Sequence, residues 1–258
     1  MVTAASVGHS HQSETPDRVP SRSGAASPDP GASMSASPEH LPPAAEALDL
    51  RLCVTGLGHV GLAFARDAVA AGFRTIGFGG EPGNVVRLVS QLADSDATAA
   101  ALSTALARGH CRITDDPGAC SGFDVAVVAP GTSPEDPTGA VALEAAAVAI
   151  APHVRPGTLV IVHGAARVGE QGELLAATVE LLTGLRAGRD YDLGFAVAPS
   201  GAGPAGLTIA SGLDDVSARR AAELLRSLGR DAAVVVPVEA AELVALLQHA
   251  LHIGKVRP

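Results

Sequence analysis

The stretch LRLCVTGLGHVGL, residues 50–62, decides how this chain folds. A mostly apolar run of strand character passes directly into three glycines with the spacing G-x-G-x-x-G, and a helical pattern follows them. In that context Gly56 permits a tight turn, Gly58 lets a pyrophosphate approach the backbone, and Gly61 allows the helix to pack closely on the strand. The stretch therefore predicts a Rossmann-type dinucleotide fold, with an ordinary glycine-rich turn as the alternative.

The candidate cofactor site continues into the helix start and the end of the second strand. The backbone N–H groups of His59 and Val60 should face a bound anion. A Rossmann site for NAD normally has an acidic residue about 20 positions further on, which accepts hydrogen bonds from the ribose. Gly79 occupies that position here, and Glu81, two residues later, is either an imperfect substitute or a solvated loop acid. Residues 79–84 contain no Arg or Lys for a 2′-phosphate, so we predict weak binding of NAD rather than NADP.

Short apolar runs alternate with helical patterns along the rest of the chain, which predicts an α/β protein with a doubly wound parallel sheet. The predicted strands are Leu48–Thr55, Phe73–Phe78, Phe123–Ala129, Thr158–Val162, Asp192–Val197 and Ala232–Val236. The predicted helices are His59–Ala71, Val141–Val154, Gly169–Leu182, Ser217–Leu228 and Ala240–His252. Residues 1–47 should be a disordered tail, 48–237 the dinucleotide-binding domain, and 238–258 the start of a further helix.

Composition excludes several classes of partner. The formal net charge is −9, and the 18 basic residues form no cluster that could follow a nucleic-acid backbone. No apolar run is long enough to cross a membrane. Cys53 and Cys111 fall in predicted strands and Cys120 in a loop, without metal-type spacing, so we expect a reducing, cytoplasmic location and no metal site.

Five segments, in this order, resemble the nucleotide-sugar dehydrogenases, which oxidise UDP-glucose, GDP-mannose and related sugars. They are GLGHVGL (56–62, family GLGYVGL), TDDP (114–117, family TTDP), APGTSPED (129–136, family VPTPxDE), IAPHVRPGT (150–158, family IAPHLRPGT) and AELV (241–244, family AEMVK). The resemblance covers about residues 50–256. It implies the fold of the family's amino-terminal NAD-binding half, with Pro130 among the cofactor-binding residues.

The resemblance also implies a reaction whose catalytic groups are largely unfilled here. The family oxidises a primary alcohol twice with NAD, and a second domain supplies a cysteine that holds the intermediate. Because the chain stops at Pro258, we expect that domain to be missing and the long central helix to be truncated. The family's other functional positions are also replaced, its Ser-Thr pair by Gly164-Ala165, its SPER carboxylate by Ser200, and its lysine and asparagine by Ala245 and His249.

The sequence thus predicts a degenerate member of this family, a module that binds a small nucleotide, has no catalytic residue of its own and is inactive alone. Two alternatives remain open: a non-catalytic interaction protein that keeps only the fold, and one half of a split dehydrogenase. Since the family dimerises through its central helix, residues 240–252 are also a candidate homodimer surface. His249 and His252 lie three residues apart without an acidic or thiol partner, so we do not expect them to bind a metal.

Overall fold

The computed structural model describes residues 50–79, 97–130, 138–164, 167–198, 207–244 and 246–247. Several sequence predictions lie outside the described residues: those for the tail at 1–47, Glu81, Ala165, Ser200, Ala245, His249 and His252.

Eight strands form one sheet in the order β3-β2-β1-β4-β5-β6-β7-β8. They are β1 (Arg51–Thr55), β2 (Arg74–Phe78), β3 (Cys111–Thr114), β4 (Val125–Val128), β5 (Leu159–Gly164), β6 (Asp192–Val197), β7 (Thr208–Gly212) and β8 (Ala232–Val234). The first six strands have the Rossmann order 3-2-1-4-5-6 and pair only in parallel. The predicted doubly wound α/β class is confirmed, and the strand order changes direction between β1 and β4.

Helices cover both faces because the strands are apolar on both sides. They are α1 (His59–Ala70), α2 (Ala97–Ala107), α3 (Thr138–Ile150), α4 (Val168–Thr183) and α5 (Asp215–Ser227). Successive residues of β1 point to opposite faces of the sheet, and each face has its own apolar core. Leu52 and Val54 pack in the first core, with α1, α2 and α5, whereas Cys53 packs in the second core, with α3 and α4. The loops that follow the parallel strands lie at the carboxyl edge of the sheet, which the helices do not cover.

The prediction of a fully parallel sheet is wrong at β7, which runs antiparallel to β6. Only about ten residues connect these two strands, fewer than the dozen or more that a parallel crossover requires. β8 then pairs in parallel with β7, so both of the last strands run against the first six.

Two glycines end helices where the sequence predicts. Gly72 (φ +93°) follows α1, and Gly229 (φ +74°) follows α5. The next N–H in each case closes the helix end, from Phe73 to the Ala68 carbonyl and from Arg230 to the Leu225 carbonyl, both at 2.9 Å. Of the predicted last helix, residues 238–244 and 246–247 are described, and they are helical.

Candidate functional site

The turn between β1 and α1 is held by the approach of β4. Gly56 has φ +77°, which a residue with a side chain rarely adopts. A Cβ at Gly56 would overlap the carbonyl oxygen of Ala129 and lie 2.7 Å from its carbonyl carbon, with the Pro130 nitrogen 3.2 Å away. The structure therefore brings Gly56 and Pro130 together at the point where the strand order reverses.

The third glycine of the motif, Gly61, packs directly against the backbone of the first, Gly56. A Cβ at Gly61 would overlap the carbonyl oxygen of Gly56, lie 2.9 Å from its carbonyl carbon, and come 3.5 Å from Cγ1 of Val54. The first turn of α1 thus rests directly on the glycine turn. Gly56 and Gly61 are both explained by the packing of the protein on itself.

Gly58 differs from its two neighbours in the motif. It is the N-cap residue of α1, with φ −76° and ψ −165°, a conformation open to any residue. A Cβ built on Gly58 would meet no heavy atom within 4 Å. Neither backbone geometry nor packing requires glycine here, and the space beside its Cα is open.

The amino terminus of α1 has no side-chain cap. The first backbone bond of the helix runs from the Leu62 N–H to the Gly58 carbonyl at 2.9 Å. The N–H groups of His59, Val60 and Gly61 precede that bond and have no partner within the helix. His59 and Val60 are exposed, and no acidic residue occupies the first turn. This helix end is suited to an anion.

Gly79 lies at the end of β2, as the sequence predicts, and its N–H donates to the Thr114 carbonyl at 2.9 Å. This bond extends the β2–β3 ladder, so Gly79 stands at the carboxyl edge. Residues 74–79 contain no carboxylate, and the next acid, Glu81, is outside the described residues. Within the described part of the site, nothing replaces the usual ribose-binding acid on β2.

At the end of β5 the structure adds His163, which the sequence analysis did not select. Its ring packs edge-on against Phe64 of α1, with centroids 5.2 Å apart and planes at 71°. The Arg230 guanidinium lies 3.9 Å from the centroid of the same Phe64 ring, and its Nη2 is 2.7 Å from Oδ2 of Asp67. Burial, followed by the charge of Arg230, lowers the pKa of His163 to about 4, so the imidazole is neutral near pH 7.

The amino terminus of α4 lies at the same edge, but it is closed. Glu242, from the helical residues 238–244, accepts a hydrogen bond from the Gly169 N–H at 3.0 Å. Arg167, just before α4, has a left-handed φ of +56° and forms an ion pair with Glu170. A carboxylate of the protein thus occupies the position that an anionic ligand would take.

Thr55, directly before the glycine turn, is fully buried, and its hydroxyl has no hydrogen-bond partner in the described part of the chain. The G-x-G-x-x-G motif does not include Thr55, so the sequence does not single out this hydroxyl. Among the described residues there is no cluster of three or more metal-ligating side chains, and none of the described helices is long and apolar enough to cross a bilayer. Cys53, Cys111 and Cys120 are free, buried thiols.

No protein-family model and no curated protein sequence matches this chain. Solved structures do. A UDP-D-ManNAc dehydrogenase from Pyrococcus horikoshii is 26% identical with a TM-score of 0.66, over 77% of this chain and 50% of that one. A GDP-mannose dehydrogenase from Pseudomonas aeruginosa is 21% identical with a TM-score of 0.65, over 80% and 51%.

A UDP-glucose dehydrogenase from Pyrobaculum islandicum is 21% identical with a TM-score of 0.57, over 76% of this chain and 48% of that one. The chain spans about half the length of these proteins. It has the fold of the NAD-binding domain of the nucleotide-sugar dehydrogenases, which confirms the resemblance found in the sequence.

Proposed function

We propose that the protein binds NAD at the turn between β1 and α1 and is an oxidoreductase-type module that does not oxidise a nucleotide sugar by itself. The observation that carries the proposal is Gly58. Gly56 and Gly61 are glycines because other protein atoms lie where a Cβ would be, whereas the space at Gly58 is open. Since the fold does not need that glycine, the absent side chain is best explained by a ligand that approaches the backbone.

The residues present fit a dinucleotide. The uncapped N–H groups of His59, Val60 and Gly61 can donate to the pyrophosphate, and Pro130, just after β4, lies beside Gly56. Gly79 offers the ribose no carboxylate, and the loss of one charge-assisted hydrogen bond costs about 1.5–3 kcal/mol. Binding should therefore be weak. When bound, NAD supplies the hydride acceptor.

The inactivity rests on the chain's own residues. Gly164, at the end of β5, offers no hydroxyl where the resembling family has one. By the same resemblance, Ser200, Ala245 and His249 replace a carboxylate, a lysine and an asparagine. Stabilisation of developing negative charge by such groups contributes several kcal/mol to a reaction barrier, and alanine contributes none. Purified protein incubated with NAD and a UDP- or GDP-sugar should form no NADH, and sustained turnover would contradict the proposal.

Calorimetric titration with NAD tests the binding proposal in three proteins: the parent, Gly58→Ala and Gly58→Ser. Both side chains enter the open space and should weaken binding at least tenfold. Their effects on the helix differ, because serine is a favoured N-cap residue and alanine is not. A loss of binding shared by both variants is therefore steric. If the parent does not bind NAD, or if both variants bind it equally well, the proposal is wrong.

A second function is favoured by the exposed apolar residues at the end of the described chain. Leu243, Val244, Leu246 and Leu247 are 37–57% exposed on a short helical segment. We propose that two copies of the chain associate through this segment. We also propose that the protein is located in a reducing compartment, the cytoplasm. Sedimentation velocity should show a dimer that Leu243→Glu with Leu247→Glu dissociates. Leu181→Glu, at an 84% exposed leucine of α4, is the control and should leave the dimer intact. A monomeric parent would contradict the proposal.

A further inference from the structure

Helices α3 and α4 lie side by side on one face of the sheet, and their outer sides are uncovered in the described part of the chain. Their inner sides pack in the second core. Single exposed apolar residues are common on protein surfaces, whereas a contiguous group of them marks an interaction site. Such a group is present here, since five large apolar residues of the two helices are 41–84% exposed: Val141, Val148, Leu174, Leu181 and Leu182.

The first four of these residues point away from the sheet. At about 100° per residue, a helical position lies nearly opposite the position two residues away. Each of the four is two residues from a buried one on its own helix, and those buried residues are, in the same order, Leu143, Ile150, Gly172 and Val179. Exposed alanines, Ala145 and Ala177, lie between the members of each pair. The two helices therefore present apolar outer stripes with the spacing of a packing face: Val141, Ala145 and Val148 on α3, and Leu174, Ala177 and Leu181 on α4.

The charges beside the outer stripes have one sign. Neither α3 nor α4 contains an Arg, Lys or His. Glu144 of α3 and Glu173 of α4 are exposed and have no ion-pair partner among the residues that the structure describes. Glu144 lies three residues after Val141, and Glu173 lies four residues before Ala177, so each carboxylate borders a stripe. The other two glutamates of α4 form ion pairs at its two ends, with Arg167 and Arg186.

This combination selects one class of partner. A helix with an apolar face and flanking Lys or Arg residues can bury the outer stripes and place its cations beside Glu144 and Glu173. A second copy of the chain fits less well, because a symmetric contact through these helices brings no cation to either carboxylate. An anionic membrane surface would repel the same two groups.

We propose that the outer stripes of α3 and α4 are a docking surface for a basic amphipathic helix of a partner protein. Val148, Leu174 and Leu181 are the apolar anchors, and Glu144 and Glu173 hold the partner's cations. The surface lies over the second core, whereas α1 packs on the first core, on the other face of the sheet. The inference therefore does not depend on NAD binding, and saturation with NAD should leave docking unchanged.

Fluorescence anisotropy with a labelled synthetic peptide of about 18 residues tests the proposal, since that length permits a stable helix. The peptide has a leucine stripe flanked by lysines, and its control has glutamates in place of the lysines. The parent should bind the lysine peptide at least about tenfold more tightly than the glutamate peptide. Raising the salt concentration should weaken that binding.

Two double variants separate the apolar contribution from the charge. Leu174→Gln with Leu181→Gln should weaken binding of the lysine peptide by about tenfold or more. Glu144→Gln with Glu173→Gln should reduce both the affinity and its salt dependence. Every changed side chain is exposed and glutamine is a good helix former, so both variants should fold. Leu213→Gln, at a 56% exposed leucine outside these helices, is the matched control and should bind as the parent does.

The proposal is overturned if the parent binds neither peptide, binds both equally, or loses no affinity in the Leu174→Gln, Leu181→Gln variant. Other occupants would show themselves in different measurements. A dimer of the parent that this variant dissociates in sedimentation velocity would assign the surface to a second copy. Binding of the parent, but not of this variant, to vesicles of phosphatidylcholine and phosphatidylglycerol would assign it to a membrane. Binding of the peptide only after Lys255→Glu with Arg257→Glu would assign it to the chain's own residues 248–258. Each of these results would also overturn the proposal.

Discussion

Helices α1 and α4 both begin at the carboxyl edge of the sheet, yet only the first is open to a ligand. The N-cap of α1 is Gly58, which has no side chain and open space beside it. The start of α4 is covered by the carboxylate of Glu242, 3.0 Å from the Gly169 N–H. The positive end of one helix is thus free for an anion, and that of the other is already neutralised by the protein.

The difference shows that a helix start in a doubly wound sheet is not by itself a binding site. The glycines of the α1 turn also divide into two kinds. Gly56 and Gly61 serve the fold, and only Gly58 points to a ligand. A glycine motif therefore supports binding only to the extent that some of its glycines are not required by packing.

The largest effect should come from the two glycines that serve the fold. Gly56→Ala and Gly61→Ala each force a Cβ onto a backbone carbonyl, and Gly56→Ala also strains a left-handed residue. Each substitution should therefore lower the free energy of unfolding, measured by urea denaturation, by about 3 kcal/mol. Gly58→Ala should lose no more than about 1 kcal/mol. Equal losses at all three positions would remove the distinction between fold and ligand glycines.

The contact between α1 and the strand that leads to α4 should make stability depend on pH. His163 has a pKa of about 4 in the folded protein, below the value near 6.5 of an unfolded histidine. Between these values the unfolded state binds more protons, so stability is lost as the pH falls from about 6.5 to 4. The loss should be about 2–3 kcal/mol. His163→Gln should flatten this slope in urea titrations, whereas His110→Gln, at an exposed position, should not; identical slopes in all three proteins would contradict the assignment.

The proposed NAD site at α1 lacks a carboxylate for the ribose, and a substitution at Gly79 can supply one. Gly79→Asp places a carboxylate at the end of β2, where it can accept hydrogen bonds from the ribose, and should strengthen NAD binding about tenfold, or about 1.4 kcal/mol. NADP should gain nothing, because its 2′-phosphate would face like charge. Glu81→Ala should weaken binding in the parent and have little effect in Gly79→Asp if Glu81 is the present substitute. Calorimetry measures all four proteins, and unchanged NAD affinity in Gly79→Asp would contradict the placement of the ribose.

The smallest effect concerns the closed helix. Glu242→Gln weakens a charge-assisted cap on α4 and should lower the free energy of unfolding by about 1 kcal/mol. Glu239→Gln, at an exposed position of the same helical segment, is the control and should cost less. NAD affinity should be the same in both variants as in the parent. A higher affinity in Glu242→Gln alone would mean that α4, and not only α1, can receive an anion.

The sequence predicts β1, β2, β4, β5 and β6 because their signals are local, whereas β7 is not among the predicted strands. Gly56 to Gly61 and the terminating Gly72 each act on backbone within a few residues, and β6 was predicted with its observed bounds. Helix α2 was not predicted, since Ala97–Ala107 has Ala, Leu and Thr on every side and no apolar stripe. The direction of β7 depends on a connection too short to cross the sheet, which the composition of the strand itself does not reveal.

The site divides in the same way. Gly56 and Gly61 lie in the turn and the helix start that the motif predicts, and the structure places Pro130 beside Gly56. The contacts that the sequence did not reveal join residues far apart along the chain: His163 with Phe64, Phe64 with Arg230, and Gly169 with Glu242. Each pair joins different elements, so no spacing along the chain encodes it.

The ion pair between Arg230 and Asp67 joins residues 163 positions apart, one just after α5 and the other on α1. β1 is likewise paired on one side with β2 and on the other with β4. A protease cut between β3 and β4 would therefore leave β1 without one neighbour and α1 without Arg230, so neither fragment would hold a complete core. The two mononucleotide-type halves of this sheet should consequently unfold in one cooperative transition, and the slowest backbone amides of β1, β4 and β5 should exchange with solvent through a single global opening.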